Sequence, residues 1–416
     1  MMKNFPKNGF KFRQILTSVT LAFVFFLTSG CWDDARVDPV RGEVELGLGD
    51  EENGLETLLV AGYLHDDEIH LHLVFPTEQP HWYHQYWVYQ GDEWVRYGSG
   101  SEGPDPDGLY EDRISILWDD GKVGNFAQLG GYTTVHEGMR STRSEMSSSE
   151  VESHPYLGGE LGRSDVRKFI RESREEDGSE PLWASVRSPD ELAEMRENGV
   201  FLDLWQWRAH RSHPVGFADN GYVLEYRHSS EGRSMYTTNQ DSETGKPLKM
   251  FDPEKTGFMA LRLEGLRNRE YGQDDPYFLN ETSAVPFDPD HNWEVGDAIP
   301  QRLLREPDDS RGAIRAAGSY HDGAWRIVLT RSLESPNPLD SKTFAPGDVF
   351  NAAFAVHSGG VGARHHLVSV PVTMGFDTEA EITLPFLDDP PANPEEDLRW
   401  VTLNLFNPGD PTPARE

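Results

Sequence analysis

The sequence predicts a mainly β fold, an antiparallel β-sandwich carrying an inserted helical segment. Two observations predict it. Short stretches of alternating apolar and polar residues recur along the chain, separated by polar or glycine-containing turns such as His65-Asp66-Asp67 and His321-Asp322-Gly323. Helical signals are confined to one region, about residues 140–200. Strand-rich chains with turns at this spacing form sandwiches or barrels, and the sandwich is the expectation here.

In chain order, residues 57–63, 68–75, 83–89 and 94–97 read as strands. Residues 139–153, rich in Ser and Glu, read as a mobile loop, and residues 164–176 are charged and helix-compatible. Ser188-Pro189-Asp190-Glu191 is a capping box with proline at the first helical position, and the helix it opens should stop at Asn198-Gly199. Strands resume at residues 324–329, 349–357 and 366–374.

The N-terminus supplies an address. Lys3, Lys7, Lys11 and Arg13 precede an apolar run over residues 15–27 that ends in Leu27-Thr28-Ser29-Gly30-Cys31. Residues 1–30 read as a signal peptide, too short for an ordinary membrane span, and its end resembles a bacterial lipobox with Cys31 as the lipidated first residue of the mature protein. The alternative is an uncleaved signal anchor with an incidental cysteine. Residues 31–41 form an acidic tether, residues 42–390 the folded body, and residues 391–416 a C-terminal strand and tail. The expected location is the bacterial cell envelope, on the periplasmic side or at the outer membrane, held to the bilayer by acyl chains. Cys31 is the only cysteine in the chain, so the body has neither a disulfide nor a thiol for attaching haem.

Charge and motifs exclude several functions. With 71 acidic against 38 basic residues the formal charge is −33, which repels polyanions and argues against nucleic-acid binding. The chain contains no glycine-rich phosphate loop, no G-x-S-x-G elbow and no H-E-x-x-H pair, so catalysis has no positive support and the expectation is a protein that is not itself an enzyme. His70 and His72 share a predicted strand face that could hold a metal, but without an obvious third ligand a solvated strand face is the better reading. His81 and His84 flank Trp82 and Tyr83 and read as loop or edge residues.

The stretch Gly130-Gly131-Tyr132-Thr133-Thr134-Val135-His136-Glu137-Gly138-Met139-Arg140 would become C-x-x-C-H, a c-type haem attachment site, if Tyr132 and Val135 were cysteines. Haem needs a flat apolar slot, one or two axial donors and basic groups near its propionates. His136 and Met139 offer donors beside Arg140. Asp203-Leu204-Trp205-Gln206-Trp207-Arg208 alternates aromatic and polar residues and carries a cation, with one indole expected in the core and the other toward solvent or the insertion. His365 and His366 open a predicted strand; if the face of Val368 and Val370 is inward, His366 is the buried one.

The order of residues 111–120, 130–140, 201–223, 323–333 and 350–376 resembles the haem-binding domain of the ethylbenzene dehydrogenase family over about residues 55–380. The runs Asp203 to Ala209 and Ala353 to His357 carry the resemblance most specifically. It implies a haem-binding electron-transfer body, with His136 at the family's haem histidine and Tyr132 and Val135 where thioether cysteines stand in cytochrome-like members. It further implies His366 or His365 as the second axial donor, Met139 being the competitor, with Arg208 toward the propionates and Trp205 and Trp207 beside it. The cofactor so implied is non-covalent haem b, and the partner a redox protein such as a molybdoenzyme or a cytochrome. A second reading is a haem-free β-sandwich lipoprotein that binds a carbohydrate, a peptide or a protein partner.

Overall fold

In the computed structural model, which describes residues 56–98, 105–136, 146–166, 168–175, 180–360 and 366–407, the main sheet closes on itself. Ten of its strands form an antiparallel barrel: β1 Glu56–His65, β2 Glu68–Pro76, β3 Arg113–Asp119, β4 Leu202–Arg208, β5 Phe217–Val223, β6 Ile314–His321, β7 Ala324–Ser332, β8 Val349–His357, β9 Leu367–Ser369 and β10 Val401–Phe406. Around the barrel the order is β1, β2, β7, β6, β5, β4, β3, β8, β9 and β10, which returns to β1. The expected sandwich is thus corrected to a barrel. Alternation is the same in both, and closure rests on β9, which pairs with β8 through Val368 and Leu367 and with β10 through Val368 and Ser369.

The inward faces are apolar and large. β4 points Asp203, Trp205 and Trp207 inward, β3 contributes Trp118, and β7 contributes Trp325, Ile327 and Leu329. Trp205 and Trp207 are therefore both in the core, contrary to the expectation that they part. Residues two apart on a strand share a face. Ten strands enclose more width than eight, and four indoles with Phe344, Phe350 and Phe376 fill it. Inside this packing sits one ion pair: Arg331 donates to Asp203 at 2.9 Å, and its guanidinium lies between the rings of Trp205 and Phe344. Both residues are sealed from solvent.

The middle of the chain crosses the outside of the barrel. The Ser188 capping box is present, and its helix runs over Pro189–Glu197 to an Asn198 cap and a left-handed Gly199, as the sequence indicates. The helix expected over residues 164–176 is not formed. Lys168–Ile170 is a strand that pairs with Thr134–His136, followed by a 3-10 turn at Arg171–Ser173. Burial of Phe169 and Ile170 and the bond from the Ile170 N–H to the Leu224 carbonyl override the local helical preference. Of the loop expected over residues 139–153, Ser148–Ser153 is a short helix with its own capping box at Ser147 and Glu150, and residues 139–145 lie outside the described ones. The strand expected over residues 366–374 is broken by Pro371 into β9 and Val372–Phe376.

A second core, not expected from the sequence, lies apart from the barrel interior. The connections after β2 and after β5 meet in a four-stranded sheet of Leu261–Arg262, Asp297–Pro300, Tyr86–Tyr89 and Trp94–Tyr97, packed around Tyr83, Tyr86, Phe251, Tyr277 and Ile299.

Removing one member of the interior ion pair leaves a bare charge in an aromatic core. Asp203→Asn is expected to destabilise the protein by about 3–5 kcal/mol in urea unfolding followed by tryptophan fluorescence, and a loss below about 1 kcal/mol would contradict the buried pair.

Candidate functional site

With the barrel interior packed, the polar side chains of interest gather on its outer wall. β4 turns Leu202, Leu204, Gln206 and Arg208 outward. Leu202 and Leu204 lie under an apolar cover that includes Phe126, Ile170, Leu192 and Tyr222. Beyond that cover the wall becomes polar. The register sets His357 opposite Arg113, and Arg113 opposite Arg208; the next row back is Ala355, Ser115, Gln206 and Asp219. His366, just before β9, stacks its ring on His357 with centroids 4.7 Å apart and planes 17° apart. The face it shares with Val368 is thus the outer one, since Leu367 packs inward with Val356. His366 is half-buried on the wall and does not enter the barrel core.

Cations dominate this row. Arg208 donates to Asp219 at 2.7 Å and to Gln206 at 2.6 Å, and Arg311 donates to the other oxygen of Asp219 at 2.9 Å. Burial alone would raise the Asp219 carboxyl; the two guanidiniums more than reverse that and hold it below its ordinary range. Arg211 pairs with Glu111, and Arg211 and Arg302 both lie over the Tyr236 ring at 5.7 Å. Burial would raise the Tyr236 phenol, yet Arg211 and Arg208 pull it below its usual value, which registers a net positive field. A cavity of about 60 Å³ opens among Gln206, Arg208, Asp219, Arg227, His228, Tyr236 and Arg311, room for a carboxylate or similar small anion. In a chain of charge −33 this is an exception.

The segment that carries His136 lies on the same wall. Gly130 sits so close to β8 that a Cβ there would be 3.2 Å from that of Ala353 and 2.9 Å from Pro371, and a Cβ on Gly131 would lie 3.9 Å from both Leu117 and the Lys168 amine. From this turn the chain enters the strand Thr134–His136, with His136 directly across from Lys168. The side chains of Tyr132, Val135 and His136 lie outside the described residues, as do Met139, Arg140, His365 and Cys31. Lys168 is a residue the sequence reading missed. Burial, with Arg227 nearby, pushes its amine down to about 7, so a neutral donor is accessible near neutral pH. Trp205 and Trp207, grouped with Arg208 in the sequence reading, are on the other side of the sheet from it.

Also missed was the pair Glu111 and Asp112, which the alternation of the chain into β3 sends to different places. Glu111 accepts the backbone N–H groups of His210 and Arg211 at 2.6 and 2.9 Å. Asp112 accepts the His81 N–H and the Trp325 indole N–H, each at 2.8 Å. His81 and His84 are in a loop as expected, but buried against these carboxylates. His70 and His72 share the outer face of β2, His70 stacked on Tyr63 and His72 edge-on to Trp400, and so are partly covered where a solvated face was expected. Among the described residues no three His, Cys, Asp or Glu side chains form a metal-binding group.

A family model described as ethylbenzene dehydrogenase matches residues 32–369. Cytochrome c-552 of Stutzerimonas stutzeri is 29% identical over 79 residues, a stretch that covers 19% of this chain and 26% of that protein.

The buried histidines make stability depend on pH. His72, His81, His210 and His213 are each pushed down to about 4, burial being the largest cause. Unfolded histidines take up protons below about 6.5, so the stability these groups contribute is full above that pH and is lost as pH falls toward 4. Asp112, pushed up to about 7 by burial, acts in the opposite sense over the same window, because the native state keeps a proton that the unfolded chain releases. The four histidines outweigh it. The urea midpoint is expected to fall between about pH 7 and about pH 4.5, and Asp112→Asn to steepen the fall; a flat profile would contradict the buried neutral imidazoles.

Proposed function

Because the chain belongs to the ethylbenzene dehydrogenase family, we propose that it is an exported electron-transfer protein that holds one b-type haem without covalent attachment. The observation that carries this reading is the outward row of His366, His357, Arg113 and Arg208, imidazoles beside guanidiniums on one wall of a strongly acidic protein. The residues present fit such a group in kind. Imidazoles and a lysine amine pushed toward its neutral form are iron donors, Ala353, Ala355 and Val368 are apolar, and the field around Arg208 is positive.

When bound, the haem supplies the one-electron chemistry. His136 would hold the iron together with His366, for which its neighbour His365 and Met139 are the competitors. Arg208, with Arg311, would hold the propionates. With Cys31 the only cysteine, no thioether can anchor the ring, and retention falls to axial bonds, burial and these ion pairs. The leader and Cys31 would place the protein on the envelope as a lipid-anchored body, passing electrons to or from a molybdoenzyme or a cytochrome. Substrate turnover would then belong to that partner.

The test is the visible spectrum of protein from haem-replete cells, oxidised and then reduced, with a pyridine haemochrome assay. The expected result is a sharp Soret band with b-type α and β bands. Loss of the sharp reduced bands in His366→Ala or His136→Ala, with Arg208→Ala keeping the bands but losing haem on gel filtration, would assign the roles. A colourless protein that takes up no added haemin would overturn the reading in favour of a haem-free binding module, for which the half-exposed Trp94, Phe287 and Trp293 offer a surface.

A further inference from the structure

The barrel interior holds a series of closely spaced aromatic rings. The rings of Trp118 and Trp205 are 5.2 Å apart, those of Trp207 and Trp325 are 5.0 Å apart, and those of Trp325 and Tyr320 are 5.8 Å apart. Trp205 and Trp207 stand two apart on one face of β4, about 6–7 Å along the strand, so a single step along β4 joins the two ring pairs. Its members are not equivalent. The indole N–H groups of Trp118, Trp205 and Trp207 are buried without an acceptor. Trp325 donates its N–H to the sealed carboxylate of Asp112 at 2.8 Å. Tyr320 is half-buried at the rim, its phenol donating to the Thr77 carbonyl at 3.0 Å.

We propose that this series is a conduit for oxidising equivalents, carrying an electron hole from Trp118 to Tyr320 with Asp112 as the proton acceptor for Trp325. The oxidant is of the one-electron metal-complex class, such as an oxidised iron porphyrin or a ruthenium(III) polypyridyl. It takes one electron from Trp118 and is reduced by one unit. The hole passes through Trp205 and Trp207 as a radical cation, because neither indole has a group to receive its proton. Trp325 then gives an electron to Trp207 and its N–H proton to Asp112, leaving a neutral indolyl radical and a protonated carboxyl. Tyr320 reduces that radical, which recovers its proton from Asp112, and the phenolic proton of Tyr320 leaves to water. The net change is one electron moved from Tyr320 to the oxidant and one proton released to solvent. The conduit needs no bound haem, only an oxidant within reach of Trp118.

The experiment is flash-quench transient absorption at about pH 8.5, where Asp112 is deprotonated, on the full chain carrying Cys31→Ser and Val349→Cys, with a ruthenium polypyridyl attached at position 349. Val349 is 48% exposed and precedes Phe350, whose ring is 4.5 Å from Phe344, which in turn is 5.4 Å from Trp118. A tryptophanyl signal followed by a tyrosyl signal is expected. Tyr320→Phe should abolish the tyrosyl signal and leave the tryptophanyl one long-lived; Trp207→Phe should abolish the tyrosyl signal; Asp112→Asn should leave the tryptophan species as its radical cation. An unchanged tyrosyl signal in Tyr320→Phe or in folded Trp207→Phe overturns the conduit. The rim variant removes one hydroxyl, so its result stands even where a core variant fails to fold.

Discussion

The packed interior and the outer wall of the barrel both depend on the closure of one sheet by the three residues of β9. Leu367–Ser369 is paired on both sides, to β8 and to β10, and where its ladder ends at Pro371 the Ser369 hydroxyl takes over by accepting the Phe354 N–H at 3.0 Å. Closure removes the exposed edge that a sandwich would have to protect. It also gives each strand residue an unambiguous side. Inside is an aromatic core with a buried ion pair; outside is the row of imidazoles and guanidiniums. Side chains occupy the inner volume.

That sorting explains how three successive charges at the start of β3 serve different ends. Glu111 ties down the backbone after β4, Asp112 holds the His81 loop to the Trp325 indole, and Arg113 joins the outer row. Each carboxylate near the row is shared. Glu111 bonds Arg211 and two backbone amides, while Asp219 is split between Arg208 and Arg311. Guanidiniums therefore outnumber carboxylates on this wall, which is why Tyr236 registers a positive surrounding.

Much of the fold was legible in the sequence, and the failures have physical causes. Alternation located β1, β2, β7 and β8 because one face of each is buried, and the Ser188 capping box fixed a helix to the residue. Alternation does not distinguish a sandwich from a barrel, since both have one inner and one outer face. Residues 164–176 misled because Lys168–Ile170 draws its hydrogen bonds from chain far away in sequence. Of the site, Arg208 could be singled out as the cation of an aromatic-rich strand, but its two tryptophans were separated by a miscounted period, when residues two apart share a face. Glu111 and Asp112 were invisible among 71 acidic residues, because burial and not residue type distinguishes them.

The contrast between an acidic exterior and a cationic recess bears on how fast a ligand arrives as well as on how firmly it stays. An anion diffusing in meets the repulsion of the whole molecule before it reaches the guanidiniums of Arg208 and Arg311. Mobile ions shorten the reach of that outer field to about 8 Å at physiological strength, yet screen partly buried charges much less. Salt thus lowers the entry barrier more than it weakens the hold. On this balance a small anion taken up by the recess would arrive slowly in dilute buffer, faster in brine, and leave slowly in either.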